Sequence, residues 1–169
     1  AEVIACASTD EKLALCREVG ADQLINYSSE DLKERIKQLT DGKGVDVIVD
    51  PVGGDYAEQA LRSIAWEGRY LVIGFANGEI PKLPFNLPLL KSCQVVGVDW
   101  GGFAGRHPEA GRAVTDAVIA LYADGTLSDP PLAHYPLERT AEAIADLAAR
   151  RIAGKCVIDV GLASAEHLA

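Results

Sequence analysis

The chain has 169 residues, of which 49% are hydrophobic and 24% are charged, a composition typical of a globular domain with its own core. A formal net charge of -9 argues against binding to nucleic acids or anionic membranes, because both need clustered Lys and Arg residues. No apolar stretch reaches the roughly 18 residues that span a bilayer, and no basic segment precedes an apolar one at the start, so we expect a cytoplasmic protein.

Apolar runs alternate with helical patterns along the first half of the chain. The run at residues 46–50 is the clearest strand, since it is rich in valine and isoleucine and stops at a proline. Hydroxyl residues precede the first two helices and could cap them, namely Ser8 or Thr9 and Ser28 or Ser29. The predicted strands are 3–7, 24–27, 46–50 and 68–74, and the predicted helices are 10–19, 29–40 and 55–64.

The second half of the chain continues the alternation. Residues 80–88 are rich in proline and predict an extended loop that leads into a helical turn at Leu89 and Leu90. Two helices follow, and each is closed by a glycine. The predicted elements are strand 94–98, helix 109–124, helix 137–151 and strand 155–160. Strands that alternate with helices at short intervals predict an α/β fold with a parallel sheet.

The cysteines are widely scattered and are not paired at the spacing of metal ligands. They stand at Cys6, Cys16, Cys93 and Cys156, without a Cys-x-x-Cys pair or a nearby histidine. We therefore expect free thiols and no metal site.

Three segments together carry a family resemblance. Residues 47–54, 68–76 and 95–101 resemble medium-chain dehydrogenase/reductases, and within that superfamily the zinc-independent NADPH:quinone oxidoreductases. The resemblance implies a Rossmann-like doubly wound parallel sheet that lacks its first strand, Gly-rich turn and first helix. It assigns residues 1–154 to a partial NAD(P)-binding domain and 155–169 to a return strand and tail that would pack on a missing catalytic domain.

In the usual strand order of this fold, the missing first strand lies in the middle of the sheet. We therefore expect the chain to be a C-terminal fragment that does not reach its native fold alone without rearrangement, domain swapping or contact with further sequence. The resemblance implies an enzyme for the full-length protein and assigns no activity to the fragment by itself.

The end of the first predicted strand suggests which cofactor binds. A carboxylate at this position would repel the 2'-phosphate of NADP(H), whereas this chain has Ser8 and Thr9 there, with Lys12 one turn along. Asp10 and Glu11 oppose a phosphate, and Ser8 could equally be a helix cap. The family resemblance adds Tyr27 as a residue against the same phosphate, although it could instead belong to the core. On balance we expect NADP(H).

The turns after the later strands provide the remaining candidate cofactor contacts. Proline and glycine could also simply end these strands, and the aromatic residues could serve packing or a subunit interface. The candidates are Pro51, Val52 and Gly53; Gly74, Phe75 and Ala76; and Val98 and Trp100.

No residue pattern identifies a catalytic acid, base or nucleophile. His107, His134 and His167 are more typical of surface histidines. Hydride transfer to a quinone needs little beyond positioning, because the nicotinamide supplies the electrons. The resemblance therefore predicts an NADPH-dependent oxidoreductase acting on a quinone or enone. The alternatives are an enoyl reductase acting on acyl thioesters, a non-catalytic NADPH sensor and, less favoured, a zinc alcohol dehydrogenase.

The predicted strand at 94–98 would leave an apolar sheet edge that must be covered. The family resemblance implies a homodimer through this edge. The alternative is that the preceding apolar loop folds over its own sheet.

Overall fold

The computed structural model describes residues 1–161 as alternating strands and helices. The order matches the predicted α/β pattern through most of the chain. The elements are β1 Ile4–Ala7, α1 Asp10–Glu18, β2 Gln23–Asn26, α2 Leu32–Leu39, β3 Val45–Asp50, α3 Tyr56–Arg62, β4 Ile64–Val72, α4 Asn86–Lys91, β5 Gln94–Gly97, α5 Trp100–Arg106, α6 Pro108–Ala123, β6 Leu132–Pro136, a 3-10 helix Leu137–Arg139, α7 Thr140–Ala148 and β7 Lys155–Asp159.

Every strand pair among residues 1–161 is parallel, which confirms the predicted α/β class. β1 pairs with β2, β4 lies between β3 and β5, and β6 pairs with β7. Parallel neighbours need crossover connections, and helices supply them between the strands. The strands of each sheet therefore end at the same edge, so the turns that follow them lie side by side.

The parallel strands are interrupted between β1 and β3. Among residues 1–161, β1 pairs only with β2, and β3 pairs only with β4. Each of these two strands therefore has one edge without a strand partner. Residues 4–6 of β1 and 45–50 of β3 both line a cavity of about 890 Å³. Two strand edges without a strand partner thus face a common space, at the position where the family resemblance places the absent strand.

Two clusters of buried side chains hold the helices against the strands. Ile25 of β2 packs with Leu32 and Ile36 of α2, and Ile25 is fully buried. The second cluster joins α3, β4 and α4 through Ala57, Leu61, Ile64, Tyr70 and Leu87. Ala60 of α3 packs against both clusters. This helix therefore links the β1–β2 pair to the three-stranded sheet.

Several predicted boundaries are wrong by a few residues. α2 begins at Leu32 rather than Ser29, because the Asp31 carboxylate accepts a hydrogen bond from the Glu34 amide at 2.8 Å and forms the cap. α3 ends at Arg62, and β4 begins at Ile64 instead of residue 68. The early start of β4 includes an irregularity, and the strand regains its regular pairing with β3 only at Arg69.

Two elements were not predicted. α5 contains three glycines, which weaken its helical signal, yet the Asp99 carboxylate caps it by accepting from the Gly102 amide at 2.9 Å. β6 is short and ends in Pro136, so it resembles a loop in sequence. Its pairing with β7 provides the ladder that local sequence does not reveal.

The chain divides into two compact units, Ala1–Asp116 and Ala117–Ala169. The first contains the β1–β2 pair and the three-stranded sheet, and the second contains the β6–β7 pair and α7. No helix among residues 1–161 combines the length and apolar character needed to cross a membrane.

Two nearby glycines provide a matched test of how closely β3 approaches β4. Both have positive φ, 77° at Gly42 and 82° at Gly44, so alanine is strained at either position by about 1–2 kcal/mol. A methyl group on Gly42 meets nothing within 4 Å, whereas one on Gly44 would lie 2.6 Å from the Ser63 carbonyl oxygen. We expect Gly44→Ala to lower the free energy of unfolding at least twice as much as Gly42→Ala in urea titrations. Equal losses would contradict the close approach.

Candidate functional site

The predicted cofactor residues follow the carboxyl ends of five parallel strands. Tyr27, after β2, packs against Tyr56 at the start of α3, with ring centroids 4.5 Å apart. Both tyrosines line the 890 Å³ cavity together with Pro51 and Val52. The ends of β2 and β3 therefore meet at the carboxyl end of this space, and ligands of open α/β sheets usually bind just outside the carboxyl ends of the strands.

Asp50, the last residue of β3, organises the turn that follows it. One carboxylate oxygen accepts hydrogen bonds from the Val52 amide at 2.8 Å and the Gly53 amide at 2.9 Å. The other accepts from the phenol of Tyr70 on the neighbouring strand β4. The Asp50 backbone carbonyl also accepts from the Ile73 amide at 3.0 Å. This residue was not predicted, and it is the hydrogen-bonding centre of the turn.

Tyr70 is 1% exposed, and its ring belongs to the second buried cluster. Burial, the hydrogen bond to Asp50 and the charge of that carboxylate raise the pKa of the phenol above its ordinary value. The phenol therefore remains protonated, and able to donate to Asp50, throughout the neutral range.

The predicted contacts in the turn after β3 are oriented by this network. The amides of Val52 and Gly53 point to Asp50, and that of Gly54 donates to the Glu79 carbonyl at 3.2 Å. Gly53 has φ of 67°, and a methyl group there would lie 2.8 Å from the Phe75 ring. These glycines allow the turn to fold closely over the loop after β4. The amides of the turn are thus bonded within the protein, and Pro51 and Val52 form the part of the turn that lines the cavity.

The tip of β1 carries the residues predicted to hold a phosphate. Thr9 caps α1, and its hydroxyl accepts from the Lys12 amide at 3.3 Å. The Asp10 carboxylate accepts from the Asn26 side-chain amide at 2.7 Å, which ties the start of α1 to the end of β2. Ser8 and Lys12 are partly exposed. The tip is thus polar and mixed in charge, with an acidic side chain held by an amide.

The remaining candidates lie after β4 and β5. The Gly74 amide donates to the Asp50 carbonyl, and the Ala76 amide donates to the Pro51 carbonyl at 3.0 Å, so this loop is fastened to the preceding one. Phe75 is 40% exposed despite its contact with the turn. Val98 and Trp100 are also exposed, and the Trp100 ring lies 5.9 Å from that of Phe103. Phe75, Val98 and Trp100 therefore add exposed apolar surface next to the carboxyl ends of β4 and β5.

The two histidines described by the structure each contact another side chain. The His107 ring packs against Phe103 at 5.3 Å, and His134 Nδ1 lies 3.1 Å from an Asp159 carboxylate oxygen between β6 and β7. His167 falls outside the described residues. Within residues 1–161, no group of three or more His, Cys, Asp or Glu side chains could hold a metal ion.

Sequence reasoning located the turns but missed the residues that fix them. Tyr56 and Tyr70 lacked a signal, because their roles depend on contacts with residues 29 and 20 positions away. Asp50 did have one: a carboxylate directly before Pro-x-Gly can accept from the amides of the turn that follows.

Comparisons with known proteins agree with this architecture. The family model described as zinc-binding dehydrogenase matches residues 1–119. A quinone oxidoreductase-like protein 2 homolog from Nematostella vectensis is 40% identical over 154 residues, covering 90% of this chain and 42% of the relative. The chain therefore spans less than half of that relative.

Two solved structures share the fold. The Escherichia coli quinone oxidoreductase complexed with NADPH has a TM-score of 0.84 and 28% identity, over 94% of this chain and 49% of its own. The JamJ enoyl reductase, in its apo form, has a TM-score of 0.78 and 26% identity, over 94% of this chain and 47% of its own. These similarities confirm the predicted superfamily and the Rossmann-like fold.

The Tyr70–Asp50 contact predicts a loss of stability at alkaline pH. A phenol whose pKa is raised by folding stabilises the protein below the unfolded pKa of about 10 and loses that contribution as pH rises further. We expect Tyr70→Phe to flatten the fall in unfolding free energy above pH 10 by up to about 1.4 kcal/mol per pH unit. Tyr122→Phe, at a position 44% exposed, is the control. Parallel pH profiles for wild type and Tyr70→Phe would contradict this.

Proposed function

The chain belongs to the zinc-binding dehydrogenase family, and from that membership we propose that the intact protein is an NADPH-dependent oxidoreductase of the quinone oxidoreductase-like kind. The observation that carries the proposal is the shared carboxyl edge, where Tyr27, Pro51 and Val52 follow the ends of the parallel strands β2 and β3. The quinone oxidoreductase-like relatives and the NADPH complex of similar fold support it.

The residues at the carboxyl edge fit NADPH in their chemistry. Hydroxyl groups at Ser8 and Thr9, with the Lys12 ammonium one turn along, are suited to the 2'-phosphate, and residues 7–9 carry no carboxylate that would repel it. Asp10 and Glu11 are the opposing charges nearby, and the hydrogen bond from Asn26 partly satisfies Asp10. We propose that Tyr27 lies against the same phosphate.

Other residues would hold the rest of the cofactor. Pro51, Val52 and Gly53 would bound its adenine and diphosphate side, while Gly74, Phe75 and Ala76 would contact the nicotinamide. Val98 and Trp100 would border the nicotinamide or a subunit interface. Bound NADPH would supply the hydride, and the work of these residues is to orient the nicotinamide and exclude water from one of its faces.

A quinone or an activated enone is the proposed hydride acceptor. The protein mainly has to position the nicotinamide against the acceptor, because solvent can provide the protons of quinone reduction. An acyl-thioester enoyl reductase is the second candidate, and the similarity of fold to the JamJ enoyl reductase favours it.

We also propose a homodimer through the free edge of β5. Among residues 1–161, β5 pairs only with β4, and Val95, Val96 and Val98 on or beside this strand are 46%, 36% and 41% exposed. Pairing with a second copy would satisfy the backbone groups of the edge and cover these side chains.

A lysine substitution tests the phosphate site. Lys12→Ala in the intact protein should raise the KM for NADPH about tenfold or more and leave that for NADH within about twofold, since only NADPH carries the 2'-phosphate. Lys33→Ala, an exposed lysine on α2, is the matched control and should change neither value. Equal effects of Lys12→Ala on the two cofactors would contradict the assignment.

The choice of acceptor separates the two candidate reactions. We expect the intact protein to oxidise NADPH with simple quinones at a kcat/KM at least tenfold above that with enoyl thioesters, followed by loss of absorbance at 340 nm. The reverse ranking would favour the enoyl reductase. Binding of NADPH without turnover of either quinones or enoyl thioesters would indicate a non-catalytic NADPH sensor.

A further inference from the structure

We propose that Asp50 is a positioning residue for the cofactor: its carboxylate holds the turn after β3, and through it the wall against which NADPH binds. The inference rests on the proposed function for its ligand and on the geometry of the turn for its mechanism.

Three donors converge on the Asp50 carboxylate from two directions. The Val52 and Gly53 amides reach one oxygen at 2.8 and 2.9 Å, and the Tyr70 phenol reaches the other from β4. Hydrogen bonds to an ionised carboxylate are stronger than neutral ones. The side chain therefore fixes the turn to a buried residue of the neighbouring strand.

The same turn fastens the next loop along the carboxyl edge. The Ala76 amide donates to the Pro51 carbonyl at 3.0 Å, and the Asn77 amide donates to the Val52 carbonyl at 2.9 Å. The amides of the turn thus bond to Asp50 while its carbonyls bond to the loop after β4. Loss of the Asp50 carboxylate would therefore allow the turn after β3 to change its conformation, and the loop after β4 would become less ordered with it.

On its other side, the turn forms part of the cavity wall. Pro51 and Val52 line the cavity, and Tyr56, which begins the helix after the turn, lies against Tyr27. Displacement of the turn would therefore shift the surface offered to a ligand and the support behind Tyr27. Asp50 acts on this surface indirectly, through the amides of Val52 and Gly53.

Three hydrogen bonds occupy the Asp50 carboxylate, which is directed at the turn and at Tyr70. A neutral side chain of the same shape can reproduce these bonds without the charge. Asparagine could accept from both amides with its oxygen and donate to the Tyr70 hydroxyl with its nitrogen. Alanine can do neither. The two substitutions therefore separate the shape of the turn from its charge.

The test compares NADPH binding by the intact wild-type protein with that by Asp50→Ala, Asp50→Asn and Tyr70→Phe. Dissociation constants are measured by quenching of protein fluorescence, well below each variant's melting temperature, and KM and kcat are taken with one quinone. Asp116→Ala is the control, an exposed carboxylate on α6 that does not line the cavity.

We expect Asp50→Ala to weaken NADPH binding about tenfold or more, in line with the loss of hydrogen bonds to a charged group. Asp50→Asn should restore affinity to within about threefold of wild type, Tyr70→Phe should fall between the two, and Asp116→Ala should bind as wild type does. If Asp50 had a purely structural role, Asp50→Ala would lower the melting temperature without this change in affinity.

Two results would overturn the assignment, and they differ in what else they overturn. Wild-type affinity in folded Asp50→Ala, or equal weakening by Asp50→Asn and Asp50→Ala, would remove the positioning role and leave the proposed function intact. Failure of the intact wild-type protein to bind NADPH at all would remove both.

Discussion

Parallel pairing of the strands is the constraint on which the rest of this structure depends. Within residues 1–161 every paired strand runs parallel to its neighbour, so crossover helices separate the strands and the turns at their carboxyl ends share an edge. That edge gathers residues that are far apart in sequence, as the contact of Tyr27 with Tyr56 shows. The same constraint exposes the interruption at β1 and β3, because parallel strands of a central sheet are normally paired on both sides.

Asp50 connects this architecture to the chemistry proposed for it. The residue ends a strand, accepts from the turn that follows and accepts from Tyr70 on the next strand. A turn rich in proline and glycine has few side chains with which to fix itself, so a carboxylate at its base supplies the missing bonds. The position of the proposed cofactor surface at Pro51 and Val52 therefore depends on the hydrogen bonds that Asp50 accepts.

Local patterns predicted much of the fold, and long-range contacts account for what they missed. The β3 strand follows from its valine-rich run, and the glycine-closed helices from their apolar periodicity. β6 depends on its pairing with β7, and the glycine-rich α5 depends on its Asp99 cap, so neither gives a strong local signal. Among the site residues, strand ends could be predicted from topology, whereas the Asp50–Tyr70 bond joins residues on neighbouring strands and requires their register.

The central claim is that the carboxyl edge of these strands binds NADPH and that a further strand completes the sheet between β1 and β3. A crystal structure of the intact protein with NADPH tests both parts at once. The account predicts cofactor density against Pro51, Val52 and Tyr27, with the Asp50 bonds to Val52 and Gly53 preserved and a parallel strand bonded to β1 and β3. Cofactor bound elsewhere, or β1 paired directly with β3, would contradict it.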